Sequence, residues 1–273
     1  MNHVQVTIAV TDPAGQEILI ALLTGLGYEG FEQQEEALLA FLPEAGFDAA
    51  ALEAILQPQD LAHTIVLLPE KKWNEEWEKS FTPVQVGEFC AVRAHFHAPV
   101  PGVTHQLIIT PKMSFGTGHH ATTYMMLQAM QNLDFSGKTI LDFGTGTGVL
   151  AILAERLGAA DVLAIDSDDW SIENAKENSI ENHCIKVAIQ KSDTVPENLP
   201  FDIILANINK HVLLREMVNM GQQLKDGGVI LMSGLLHEDL EDIENEAESR
   251  ELSVSVRTTR GSWICLKMEK SPN

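Results

Sequence analysis

From about residue 111 onward, short apolar runs alternate with helical patterns. TILDF, DVLAID, KVAIQKSD, FDIILANI and GGVILMSGLL are separated by stretches such as VLAILAERLG, SIENAKENSIEN and KHVLLREMVNMGQQL. Short apolar strands alternating with helices demand a parallel sheet covered by helices on both faces, an α/β fold. The tail departs from the pattern: ELSVSVRTTRG and SWICLKME have no helix between them and read as a terminal antiparallel hairpin. In a parallel sheet, ligands bind beyond the carboxyl ends of the strands.

The segment LDFGTGTG at 141–148 follows a strand and precedes a helix. Gly144, Gly146 and Gly148 let the backbone turn tightly, and a β-carbon at Gly144 or Gly146 is expected to collide with a bound ligand. A dinucleotide fold wants G-x-G-x-x-G, with pyrophosphate on the helix N-terminus. Here the spacing is G-x-G-x-G, and Asp142 stands two residues before the first glycine. That pattern suits a nucleoside without phosphate. An acid so close opposes pyrophosphate and can position a cationic amino-acid ammonium, directly or through water. Three further strand tips end in polar residues. Asp166 stands where an acid accepts from ribose hydroxyls, Asp193 where an adenine amino group can donate, and Asn207 at the fourth tip.

The N-terminal stretch has a different rhythm. HVQVTIAV alternates like a half-buried strand, Pro13 opens a helix that Gly27 ends, and YEGFEQQ and EALLAFLP are short strands. FDAAALEAILQP is a second helix stopped near Pro58, and HTIVLLPE a further strand. The order β-α-β-β-α-β is that of a small ferredoxin-like α+β domain over residues 1–70. A linker over 71–110 follows. Trp73, Trp77 and Phe81 recur there at helical spacing as a packing stripe, and FCAVRAHFHAP and THQLIITP add strands.

A net charge of -21 repels phosphate backbones and favours encounter with a basic partner, so no direct nucleic-acid binding is expected. No apolar run is long enough to span a bilayer, and the N-terminus lacks a signal-peptide pattern. Cys90, Cys184 and Cys265 are scattered without metal-ligand spacing. A monomer in the reducing cytoplasm, without metal, is the expectation.

PKMSFGTGHHATT at 111–123 combines two glycines, two histidines and several hydroxyls just before the parallel sheet, with Thr122 and Thr123 placed to cap the helix YMMLQAMQNL. The region 111–273 resembles the S-adenosylmethionine-dependent class I methyltransferases, which implies a Rossmann-like seven-stranded sheet with an antiparallel last strand. The 111–123 segment looks like the P-x-x-A-F-G-T-G-x-H-x-T-T motif of the bacterial ribosomal protein L11 methyltransferases. WNEEWEKSFTPVQVG, LDFGTGTGVLAI and LANI resemble further parts of that family, so the resemblance spans essentially the whole chain. Phe115, Gly116, Thr117, Gly118 and His120 match the motif, His119 falls at its variable position, and Ser114 stands where alanine is expected.

The resemblance implies S-adenosylmethionine as cofactor, held at Thr123, Gly144, Asp166 and Asn207, with the motif loop beside them. It implies methyl transfer to lysine or N-terminal amines of the basic L11 protein, gripped by the ferredoxin-like domain. Asn207 is a candidate for orienting the amine, and His120 for accepting its proton. Three other readings are open: the same fold acting on another protein or a small molecule, a non-catalytic ribosome-associated module, and, more distantly, a nicotinamide oxidoreductase. Methyltransferases of glutamine in release factors use N-P-P-Y after the fourth strand, where this chain has Asn207-Ile208-Asn209-Lys210.

Overall fold

The alternating HVQVTIA segment forms β1 (His3–Ala9), with Val4, Val6 and Ile8 buried and the residues between them partly exposed. The computed structural model describes residues 2–68, 82–110, 112 and 114–270, and the chain divides into two units, Met1–Ser80 and Phe81–Asn273. In the first unit, Asp12 caps α1 (Pro13–Thr24) by accepting from Gly15 N at 3.0 Å. Asp48 caps α2 (Ala49–Leu56) in the same way. Strands β2 (Gly30–Gln33), β3 (Ala37–Pro43) and β4 (His63–Leu68) complete a sheet of order β2-β3-β1-β4, every neighbouring pair antiparallel. Element order and strand order are those of the ferredoxin-like architecture. Leu19 and Leu23 of α1 and Leu52 and Leu56 of α2 share one core with β1 and β3. The helix expected to carry Trp73, Trp77 and Phe81 lies outside the described residues.

The second unit begins within the stretch read as a linker. There β5 (Val84–Val86), β6 (Cys90–Arg93) and β7 (His105–Ile108) form a small sheet of their own. Val86, Val92 and Leu107 join the core of the larger sheet, so this segment is part of the second unit's body. Strands β6 and β7 are both shorter than the apolar runs suggested, and β6 stops where the chain turns at 94–97, with His97 N donating to Ala94 O at 3.1 Å and Ala94 N to His97 Nδ1 at 3.1 Å.

Seven strands form the main sheet: β8 (Thr139–Phe143), β9 (Asp161–Asp166), β10 (Val187–Lys191), β11 (Phe201–Asn207), β12 (Leu224–Leu236), β13 (Leu252–Arg260) and β14 (Trp263–Lys270). Their order is β10-β9-β8-β11-β12-β14-β13. The first five are parallel, and β14 runs antiparallel to both β12 and β13. The chain moves outward from β8 to β10, then returns to β11 on the other side of β8. The topological switch point therefore lies between β8 and β11, where a crevice opens at the carboxyl ends.

Helices α3 (Ala121–Met130) and α4 (Val149–Arg156) contribute to one apolar layer against this sheet, and α6 (Lys210–Gln223) and α7 (Leu240–Glu248) to the other. The remaining helix is α5 (Asp169–Glu181), whose start is capped by Asp168 accepting from Ser171 N at 2.9 Å. Every residue from Val149 to Ala154 is buried, which explains why VLAILA shows no polar face.

Candidate functional site

A cavity of about 690 Å³ opens at the carboxyl ends of the parallel strands, a size suited to one small-molecule ligand. Phe143, Gly144 and Gly146 line it from β8 and the loop that follows. Asp166 and Ser167 come from the end of β9, and Ser192 and Asp193 from just beyond β10. Asn207 and Ile208 follow from β11, Gly234 from β12 and Trp263 from β14. The four polar strand ends picked out in the sequence thus converge, but one of them, Asp142, sits beneath the loop instead of on the cavity wall.

Asp142 is fully buried. Its Oδ2 accepts from Thr145 Oγ1 at 2.6 Å and from Ala151 N at 3.1 Å, while Oδ1 has no partner. Burial, with a smaller push from Asp166, raises its pKa to about 7 against the pull of Thr145 and Ala151. Its visible work is to brace the glycine loop against the start of α4. Asp166 braces the same loop from the other side: Oδ2 accepts from Gly146 N at 2.9 Å and Oδ1 from Asp168 N at 3.0 Å. A carboxylate has about four acceptor sites, so these two bonds leave capacity for ribose hydroxyls.

Neighbouring protein alone already requires glycine at positions 144 and 146. A β-carbon on Gly144 would stand 2.1 Å from Ile208 Cγ2, and one on Gly146 2.3 Å from the Phe115 carbonyl oxygen. Both residues also have positive φ, +75° and +54°. The glycine loop and the 114–120 loop are in fact stitched together. Thr147 N donates to Phe115 O at 2.9 Å, and Thr147 Oγ1 donates to Gly116 O at 2.8 Å. Buried Asn178 of α5 ties the glycine loop to the chain entering the motif: its Oδ1 accepts from Thr110 N at 2.9 Å and its Nδ2 donates to Thr147 O at 2.8 Å. One turn on, Asn182 pairs with both backbone groups of Ile108. These side chains give the chain entering the 111–123 motif the hydrogen bonds that a neighbouring strand would otherwise supply.

Asn207 Nδ2 donates to Thr123 Oγ1 at 3.2 Å, and its buried Oδ1 has no partner. Thr123 is itself wholly buried, so it serves the cavity through Asn207 and does not line it. Helix α3 is capped by His120, not by the threonines: the His120 Nδ1 accepts from Thr122 N at 3.4 Å and lies 2.8 Å from Thr122 Oγ1. An imidazole ring reaching the first turn takes the place of the hydroxyl cap, and Thr122 and Thr123 sit inside the helix. The His120 ring stands edge-to-face between Phe115 and Trp263, with centroids 5.1 and 4.8 Å away. All three rings line the cavity.

Gly116 and Thr117 are not lining residues. Gly116 contributes its carbonyl to Thr147, and the Thr117 hydroxyl lies 3.2 Å from His119 Nδ1. The sequence reading missed Ile208, Gly234 and Trp263. Gly234 was detectable as a lone glycine inside an apolar strand pattern, a sign of close backbone approach. Its added β-carbon would stand 2.2 Å from the Ile208 carbonyl oxygen.

The family model described as ribosomal protein L11 methyltransferase (PrmA) matches residues 5–271. A protein of Porphyromonas gingivalis named ribosomal protein L11 methyltransferase is 39% identical, over 92% of this chain and 89% of its own. One of the same name from Bacteroides thetaiotaomicron is 36% identical, over 92% of each. The crystal structure of a ribosomal protein L11 methylase from Lactobacillus delbrueckii subsp. bulgaricus superposes with a TM-score of 0.65 at 28% identity, covering 70% of this chain and 100% of that one. A parallel sheet with an inserted antiparallel strand, a glycine loop braced by two acids, and a match along nearly the whole chain place this protein in the ribosomal protein L11 methyltransferase family.

Proposed function

We propose that this enzyme transfers methyl groups to amines of large-subunit ribosomal protein L11, on lysine side chains, the N-terminal α-amine or both. S-adenosylmethionine is the methyl donor; when bound, it supplies a methyl group made electrophilic by a sulfonium. The residues present fit that group. The cavity has the volume, Gly144 and Gly146 line it, and the carboxylates of Asp166 and Asp193 on its wall can accept from ribose hydroxyls and an adenine amino group.

The observation that carries the reading is the unpaired Oδ1 of Asn207, buried at the cavity while Thr123 fixes the other end of the same amide. A buried acceptor without a partner is costly unless a ligand completes it. A neutral amine donates one N–H to this oxygen, which fixes the direction of its lone pair. A free lysine, with a reference pKa of roughly 10.4, carries no lone pair at neutral pH. The rings of Phe115, Phe143 and Trp263 exclude water around the amine and favour its neutral form. His120, with Nδ1 committed to the start of α3, serves as wall and cap, and the proton leaves to solvent.

The names of the relatives support L11 as the substrate, and a charge of -21 suits a basic partner. The same charge disfavours a nucleic-acid surface. Among the described residues no helix is long and apolar enough to cross a membrane. The test is intact-mass measurement of purified large-subunit proteins after incubation with enzyme and donor. Whole-methyl increments on L11 alone are expected, and they shrink with Asn207→Ala. Increments elsewhere, or none on L11, would remove the substrate assignment.

A further inference from the structure

The loop after β10 is held by a buried carboxylate with no part in the reaction described above. Glu216, in the middle of α6, is 2% exposed. Its Oε2 accepts from Val195 N at 3.1 Å and from Asn219 Nδ2 at 3.0 Å, and its Oε1 accepts from Arg215 Nε at 3.0 Å. Arg215 then donates through Nη2 to the Asp193 carbonyl at 2.7 Å. Asp193 and Arg215 both line the cavity. The turn is further tightened by Ser192 Oγ donating to Thr194 O at 2.8 Å.

Burial alone would push the Glu216 carboxyl up, but the Asn219 amide, the Val195 N–H and Arg215 together hold it below its ordinary range, so it remains an anion. A buried anion satisfied by three donors is a rigid anchor, because each donor loses a charge-assisted bond if it moves. Two of the three lead to the same short loop: Val195 directly, and Arg215 through the Asp193 carbonyl. An apolar residue at 216 would fill the space between helix and sheet equally well, so packing alone does not call for this arrangement.

We infer that Glu216 is a positioning residue for the base end of the methyl donor: through Val195 and Arg215 it fixes the backbone of Asp193, so that the Asp193 carboxylate meets the exocyclic amino group of adenine. This rests on the placement of adenine at Asp193 given above. It follows that Glu216 governs selectivity for the base, and not the transfer step at the other end of the cavity, where Asn207 lies.

The experiment measures dissociation constants, by calorimetry on the full chain, for S-adenosylhomocysteine and for its inosine counterpart, in which a carbonyl oxygen replaces the amino group. The wild type prefers the adenine form. Glu216→Gln keeps the volume but turns a donor toward groups that are themselves donors. It is expected to weaken the adenine ligand about ten-fold, the scale of one charge-assisted hydrogen bond, while the inosine ligand changes little. Arg215→Ala, at a half-exposed side chain, narrows the same preference and stands in if Glu216→Gln does not fold. Asp193→Asn is the control for the underlying placement, since its amide can donate to the inosine oxygen and should narrow or invert the preference. If Asp193→Asn alters the preference while Glu216→Gln and Arg215→Ala weaken both ligands equally or neither, the positioning role is overturned and the adenine placement stands. If Asp193→Asn leaves the preference untouched, the placement itself is wrong and the inference falls with it.

Discussion

Asp142 shows how a single carboxylate can serve a site without facing it. It is buried under the glycine loop, and its pKa rises from 3.8 to about 7, chiefly by loss of hydration. Between those two values the folded chain keeps a proton that the unfolded chain has released. Stability therefore falls as pH rises from about 4 to about 7 and levels off above, by linkage. Asp142→Asn cannot titrate, so its stability relative to wild type should improve as pH rises through this window. Urea unfolding of both proteins at several pH values reads this directly, and a gap independent of pH would show that Asp142 is charged throughout. Asp166, Asp193 and Asn207 were legible in the sequence because strand ends in a parallel sheet converge by rule. What Asp142 does was not legible, since burial depends on how the 145–151 segment folds back over it. Trp263 was hidden for a different reason: it reaches the cavity only because β14 inserts beside β12, a pairing between distant parts of the chain.

At the scale of elements, α5 is unusual. Asparagine is a poor helix former because its side chain competes for backbone bonds. Yet Asn174, Asn178 and Asn182 recur at four-residue spacing, all nearly fully buried. Their spacing puts them on one face, aligned with the extended chain at 108–110. Asn178→Leu would keep the branched shape, in a somewhat larger side chain, and leave Thr110 N and Thr147 O without partners. A loss of roughly 2–5 kcal/mol is expected from two such orphaned groups, measured by denaturant unfolding. A loss under about 0.5 kcal/mol would mean that water replaces the amide without cost. The repeat in SIENAKENSIEN is the signal the sequence offers, but apolar periodicity, which marks helices and strands, does not reveal a polar face turned inward. The helix start at His120 was missed on similar grounds. Preference tables favour hydroxyl caps, and the threonines two and three residues on drew attention from the ring that does the capping.

At the scale of the molecule, the architecture was largely legible, because both units follow local rhythms: period two in β1 and β3, and alternation of strand and helix after residue 111. In the sheet at 84–108, β6 and β7 were legible as strands, though shorter than their apolar runs, while β5, with three residues, carries too little pattern to be read. The charge of -21 belongs to this scale too, and a long-range field of that sign is expected to speed the encounter with the basic substrate proposed above. Raising salt from about 50 mM to about 500 mM should raise the KM for L11 on the order of ten-fold, with the donor KM almost unchanged. Steady-state kinetics with each substrate varied in turn decides it. Equal shifts in both constants would point to a salt effect on the enzyme itself.

The place of β14 has a consequence for how the enzyme comes into being. Residues 263–270 are synthesised after every other strand of the sheet, yet they take an interior position between β12 and β13. Until they leave the ribosome, β12 offers an unpaired edge and the cavity lacks its Trp263 wall. A growing chain can fold β8 to β12 early, but it cannot assemble a whole site ahead of that final insertion. The finished cavity is thereby tied to translation of β14, and a chain cut short before it carries an open sheet edge and a cavity without its Trp263 wall.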